Sequence, residues 1–181
     1  PILAGDLMKK TEFVYDDGKP VTQSTQEEYL DTIVEVGKEE AAMKFAGDTQ
    51  FHMQSLEEKK QQLFAFMDET LSENIVDMAT ESQIGERKNN ETDEEYENRA
   101  KIVINKVKHQ IQVNQPLRIK QSALVKHVAH AVRSGRQYLK KLLNRGKNVV
   151  AKMFEPRVQA LEEKSNKLFG KRKVEYNKKV V

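Results

Sequence analysis

Apolar residues recur at helical spacing through nearly the whole chain, and this periodicity restricts the fold more than any other feature. Leu30, Ile33, Val34, Gly37, Ala41 and Phe45 fall on one helical face. Leu56, Leu63, Phe64, Met67, Leu71, Ile75 and Met78 line a second stripe, and Tyr96, Ala100, Val103, Val107 and Ile111 a third. Leu124, Val128, Val132, Leu139, Leu142, Val150 and Met153 form a fourth, and a last one runs from Pro156 through Leu161 to about Leu168. Each stripe buries one side of a helix and leaves the other in water. The expected fold is mainly α: about five amphipathic helices as an elongated bundle or array, preceded by a short N-terminal hairpin or extended arm.

Breaks between the stripes carry their own chemistry. Thr25-Gln26-Glu27-Glu28 and Thr92-Asp93-Glu94-Glu95 have the spacing of a capping box, in which hydroxyl and carboxylate satisfy free amides at a helix start. Gly47-Asp48 reads as a stop followed by a fresh cap, opening a helix expected from about Thr49 to Ser82. Gly85 to Asn90 is a polar break. Asn114-Gln115-Pro116 ends the third stripe, because proline lacks the helix-forming N–H and restricts the residue before it. Gly135 and Gly146 are expected to divide or bend the fourth, and a helix-turn-helix about Gly135 is one reading of that division. Pro156 suits a first helical turn and Gly170 a stop. Glu12-Phe13-Val14-Tyr15 is the one strand signal, followed by a turn at Asp16-Asp17-Gly18. The organisation expected is residues 1–23 as arm or hairpin, 24–170 as a helical body and 171–181 as a basic tail.

Charge divides the chain sharply. Residues 1–100 carry 10 Lys and Arg against 24 Asp and Glu, whereas residues 101–181 carry 21 against 4. An asymmetry of this size points to an anionic partner for the second half, or to the two halves facing each other. Lys126, Arg133, Arg136, Lys140, Lys141, Arg145 and Lys147 are the candidate anion- or nucleic-acid-binding residues, since they occupy the polar side of a helical stretch whose other side is apolar. A solvated face neutralised by the chain's own acids explains the same residues without a ligand. Tyr138, Phe154, Phe169 and Tyr176 are the only rings in that half, too few for stacking on single strands, so a duplex backbone is the better nucleic-acid partner.

Catalytic chemistry finds little support. The chain has no cysteine, no phosphate-binding glycine loop and no nucleophile elbow, so no enzyme, metal or cofactor is expected. His127 and His130 stand three apart, but no acids or thiols near them would complete a metal site. Glu91, Asp93, Glu94, Glu95 and Glu97 match the ordinary preference for acids in a first helical turn. The Met- and Phe-rich acidic helix offers core packing first, with Phe66 off its main stripe as an interface anchor. The function these features suggest is a non-enzymatic structural or assembly component of a larger complex, such as a virion or nucleoprotein particle. Other protein subunits are the expected partners, with nucleic acid approached through residues 120–179; a membrane is not expected. A DNA- or RNA-binding accessory module is the alternative, and a soluble adaptor or chaperone with self-neutralising halves a third. The start does not resemble a secretory signal, and cytoplasm or virion is the expected location.

Overall fold

The computed structural model describes residues 3–180, with Phe169 and 171–180 described by backbone alone. The mainly α expectation holds: the chain is 77% helical. The order is α1 (Ala4–Lys9), β1 (Thr11–Val14), α2 (Gln23–Phe45), α3 (Thr49–Met53), α4 (Leu56–Ile84), α5 (Asp93–Gln112), β2 (Leu117–Lys120), α6 (Gln121–Asn144) and α7 (Asn148–Val180). Two units divide the chain, Pro1–Asp31 with Phe64–Leu124 and Thr32–Leu63 with Val125–Val181, so α2, α4 and α6 each contribute to both.

In the first unit the strand signal is realised one residue early, but its partner is not the one a hairpin supplies. The Asp-Gly turn forms, with Gly18 at φ 85° donating its N–H to the Tyr15 carbonyl at 2.8 Å. The return leg then makes a single antiparallel bridge, Val14 to Pro20. β1 instead pairs in parallel with β2, in the register Thr11–Leu117, Glu12–Arg118, Phe13–Ile119, Val14–Lys120. A two-stranded hairpin alone is marginal in water. The apolar positions of β1 gain more by lying beside a second strand whose Leu117 and Ile119 are buried while Arg118 is exposed. Phe13 meets the Tyr29 ring edge-on at 5.2 Å. Ahead of the strand, where an arm was expected, α1 buries Ala4 and Leu7, and the Ala4 N–H donates to Asp68 Oδ1 at 3.0 Å.

The caps are right in kind and partly shifted in place. Thr92 Oγ1 accepts from the Glu95 N–H at 3.1 Å and opens α5 as expected. At α2 the hydroxyl belongs to Thr22, not Thr25: it accepts the Thr25 N–H at 3.4 Å, and the helix starts at Gln23. The far end of α5 closes where the proline signal put it. Asn114 takes φ 62°, and the amides of Gln115 and Asn114 donate to the Gln110 and Ile111 carbonyls at 2.9 and 3.2 Å, the paired bonds of a Schellman closure.

The second unit holds most of the differences. The helix expected over Thr49–Ser82 is broken: Asp48 caps α3 by accepting the Phe51 N–H at 3.1 Å, and Ser55 Oγ then accepts the Glu58 N–H at 3.3 Å to start α4. Stacking of Phe51 on Phe45 at 4.6 Å turns the short α3 back toward the end of α2, a packing that no local pattern announces. α6 runs unbroken through Gly135, so no helix-turn-helix lies there. Gly146, at φ 72°, ends α6 with a second Schellman pair, Lys147 to Leu142 at 2.9 Å and Gly146 to Leu143 at 3.1 Å. α7 begins at Asn148, leaving Pro156 inside the helix, where it offers no N–H to the Lys152 carbonyl. The helix passes Gly170 and includes the backbone of the tail from which no regular structure was expected. Leu139, Leu142, Ala151, Phe154 and Val158 form the core between α6 and α7, with Ala42, Met43 and Ala46 packed against it. Because α7 starts early, Ala151, Phe154, Val158 and Leu161 set its buried face; Met153, expected on the stripe, is 68% exposed. Phe64 is likewise 68% exposed, while Phe66 is only half-buried.

Candidate anion-binding face

α6 separates its residues by chemistry more completely than any other helix. Val128, Ala131, Leu139 and Leu142 are buried on one side. Lys126, Arg133 and Lys140 recur every seven residues, so they share a sector of about 40° on the opposite side and stand about 10.5 Å apart along the axis. Lys141 lies to one flank of that line and Arg136 to the other. Arg145 and Lys147 follow at the turn into α7, and all seven side chains are exposed.

Their partners differ. Arg136 is ion-paired with Glu162 of α7. Arg133, Lys140, Lys141, Arg145 and Lys147 make no ion pair with any described residue. Lys141 and Arg145 stand at the C-terminal end of α6, where cations are favoured by the helix dipole, which is a structural reason for two of the seven. Within the second unit an acid of the first half meets a base of the second: Arg157 Nε donates to Glu39 Oε1 at 2.8 Å while its guanidinium lies over the Phe154 ring at 5.5 Å. The Glu39 side chain is 9% exposed, so the pairing answers the cost of a nearly buried carboxylate.

A groove of about 540 Å³ runs between α6 and α7. Leu139, Leu143 and Ala151 form its floor, Arg136, Lys140 and Lys152 supply cations, and Asn148 and Glu155 complete the lining. Leu143, Val149 and Met153 are 55%, 75% and 68% exposed around the same turn. Lys152 belongs to the basic residues on the polar sides of these helices that the sequence marks, whereas Leu143 does not stand out there as part of a site. The available signal was Leu143 itself, an apolar residue beside Leu142 that cannot share its buried face.

The histidine pair does not assemble a ligand set. Among the described residues no group of three His, Asp or Glu could hold a metal ion. His127 is half-buried, and its Nε2 is enclosed with no partner among the described residues. Burial, and secondarily the charge of His130, pushes its pKa down to about 4, so the ring is neutral near pH 7. Of the rings named for nucleic-acid stacking, Phe154 is buried and meets Tyr138 edge-on at 5.3 Å, so it offers no free face. Phe169 and Tyr176 lie outside the residues whose side chains are described.

No helix of the described residues is long and apolar enough to cross a membrane. Comparison with protein-family models, with curated proteins and with solved structures finds no match to this chain.

Proposed function

We propose that the chain is a non-enzymatic structural or assembly component of a larger complex, of the kind a virion or nucleoprotein particle contains, and that its basic α6 face meets an anionic partner. The observation that supports this most is the set of exposed cations on α6 and its closing turn that no described carboxylate neutralises. A chain that only needed a soluble surface would gain as much from mixed charge, with less self-repulsion. The spacing of about 10.5 Å along α6 corresponds to roughly three base-pair rises of a duplex, so a polyanion meets successive cations without base reading.

Titration of the full chain with labelled random duplex DNA at rising salt tests this. Binding at low salt that weakens steeply with salt, and is abolished by reversing Arg133, Lys141 and Arg145 to Glu, is expected. No binding at low salt, or binding indifferent to that reversal, rejects the proposal. The second reading, an adaptor with self-neutralising halves, is favoured by the Glu39–Arg157 pair. It calls for a monomer that ignores polyanions.

A further inference from the structure

We infer that the groove between α6 and α7 is the socket for the outer face of α5 from a second copy of the chain. The inference rests on the proposed assembly role and names one of its partners. The groove asks for a convex element with an apolar ridge and carboxylates: its floor is Leu139, Leu143 and Ala151, and its cations are Arg136, Lys140 and Lys152. At about 540 Å³ it has the size of a site that encloses a few side chains.

A phosphate backbone would use the cations and leave Leu143, which lines the groove and is 55% exposed, without a counterpart. A flat bilayer does not enter a concave groove. An acidic amphipathic helix satisfies both parts, by the same logic that seats helices in apolar grooves elsewhere.

This chain carries such a helix. α5 opens with Glu94, Glu95 and Glu97, all exposed and in no ion pair with a described residue. Ile102 stands two turns beyond Glu95 on the same line of the helix and is 70% exposed. Ile102 fills the floor, Glu94 and Glu95 face Lys140 and Lys152, and Lys106 is the counterpart of Glu155, the one carboxylate lining the groove. A second exposed apolar surface, Leu56 and Phe64 on α4, mixes Glu57 and Glu58 with Lys59 and Lys60, so it brings opposed charges to the rim where the start of α5 brings carboxylates alone. Each copy offers one donor and one acceptor surface, so the contact serves a reciprocal pair, a ring or a filament alike.

Sedimentation velocity on the full chain decides it. At about 50 μM and low salt the weight-average mass should be at least twofold the monomer's, falling toward the monomer at about 0.5 M salt. Lys140→Glu with Lys152→Glu, and separately Glu94→Lys with Glu95→Lys, should each give monomers with unchanged circular dichroism. Mixing the two variants should restore the assembly, because each then offers the charge that the other now lacks. A wild-type monomer throughout, an assembly indifferent to either pair, or a mixture that stays monomeric overturns the inference. Duplex binding that persists in a monomeric wild type would leave the proposed anionic-partner function standing while this interface fails. Loss of both would reject the two together.

Discussion

Two groups of cations in this chain have opposite fates. Around the loop between α4 and α5, Arg99 donates to both Glu91 carboxylate oxygens at 2.8 Å, to the Ile84 carbonyl and to the Glu86 carbonyl at 3.3 Å. Arg87 pairs with Asp93, and both guanidiniums lie over the Tyr96 ring at 5.3 and 5.4 Å. These donors hold a loop against the two helices it joins. On α6, Arg133, Lys140 and Lys141 project into water with no described carboxylate in reach. The difference teaches that charge density alone says nothing about availability; what decides it is whether the fold returns a carboxylate or carbonyl to the same spot.

His127 offers the largest test of that contrast, because it is an ionisable group on α6 that the fold withdraws from water. Its folded pKa of about 4 lies below the ordinary 6.5, so the folded state refuses a proton that the unfolded chain accepts. Stability linked to this ring is full above pH 6.5, declines between 6.5 and 4 and levels off below. The span is roughly 3 kcal/mol. Chemical denaturation of wild type and His127→Gln across that range should show the excess acid loss in wild type only; parallel curves would mean that the ring is hydrated.

Gly135→Val probes the buried side of the same helix. A Cβ at Gly135 would stand 3.0 Å from Val158 Cγ2, tighter than packed side chains allow. A loss of about 1–3 kcal/mol in urea denaturation is expected. Retained stability would show that α6 and α7 can part without cost.

At the loop, Arg99→Ala should lower the denaturation midpoint more than Arg133→Ala does. The Arg99 guanidinium holds the Glu91 carboxyl below the usual carboxylate range by hydrogen bonding. Its contribution is therefore present above that range and lost as pH falls through the depressed value, and in Arg99→Ala this acid limb should flatten. Equal midpoints for the two variants would erase the contrast between the groups.

The smallest stability effect belongs to the exposed cations. Reversing Arg133 should move folding stability by no more than about 0.5 kcal/mol, and reversing Lys141 or Arg145, at the C-terminal end of α6, by about 1 kcal/mol each. Neutralising each singly to Gln, which leaves binding measurable, should lower the salt slope of duplex binding by about 0.9 for the phosphate no longer neutralised. A large destabilisation would place these residues with Arg99 as structural.

Much of the fold was legible because caps and closures are local. Thr92 opens α5 and Asn114 closes it through amides within five residues, so neighbours in the chain suffice to read them. The candidate face was legible for the same reason: a seven-residue repeat of Lys126, Arg133 and Lys140 needs only helix geometry to line up. β2 is not legible although Leu117-Arg118-Ile119-Lys120 alternates, since four residues between two helices carry too little pattern to be separated from a turn. The groove was invisible, because it exists only where Leu143 and Lys152 of different helices come together.

By itself the sequence determined helix type, most helix ends, the Asp-Gly turn and the basic side of α6, all set by dihedral preference and spacing within one or two turns. Only the tertiary structure decided that β1 lies parallel to a strand more than a hundred residues away, that α3 breaks from α4, and that Pro156 sits inside a helix. It also decided which cations found carboxylates. Those outcomes depend on burial against distant segments, whose free energy outweighs local preference and leaves no trace in the local pattern.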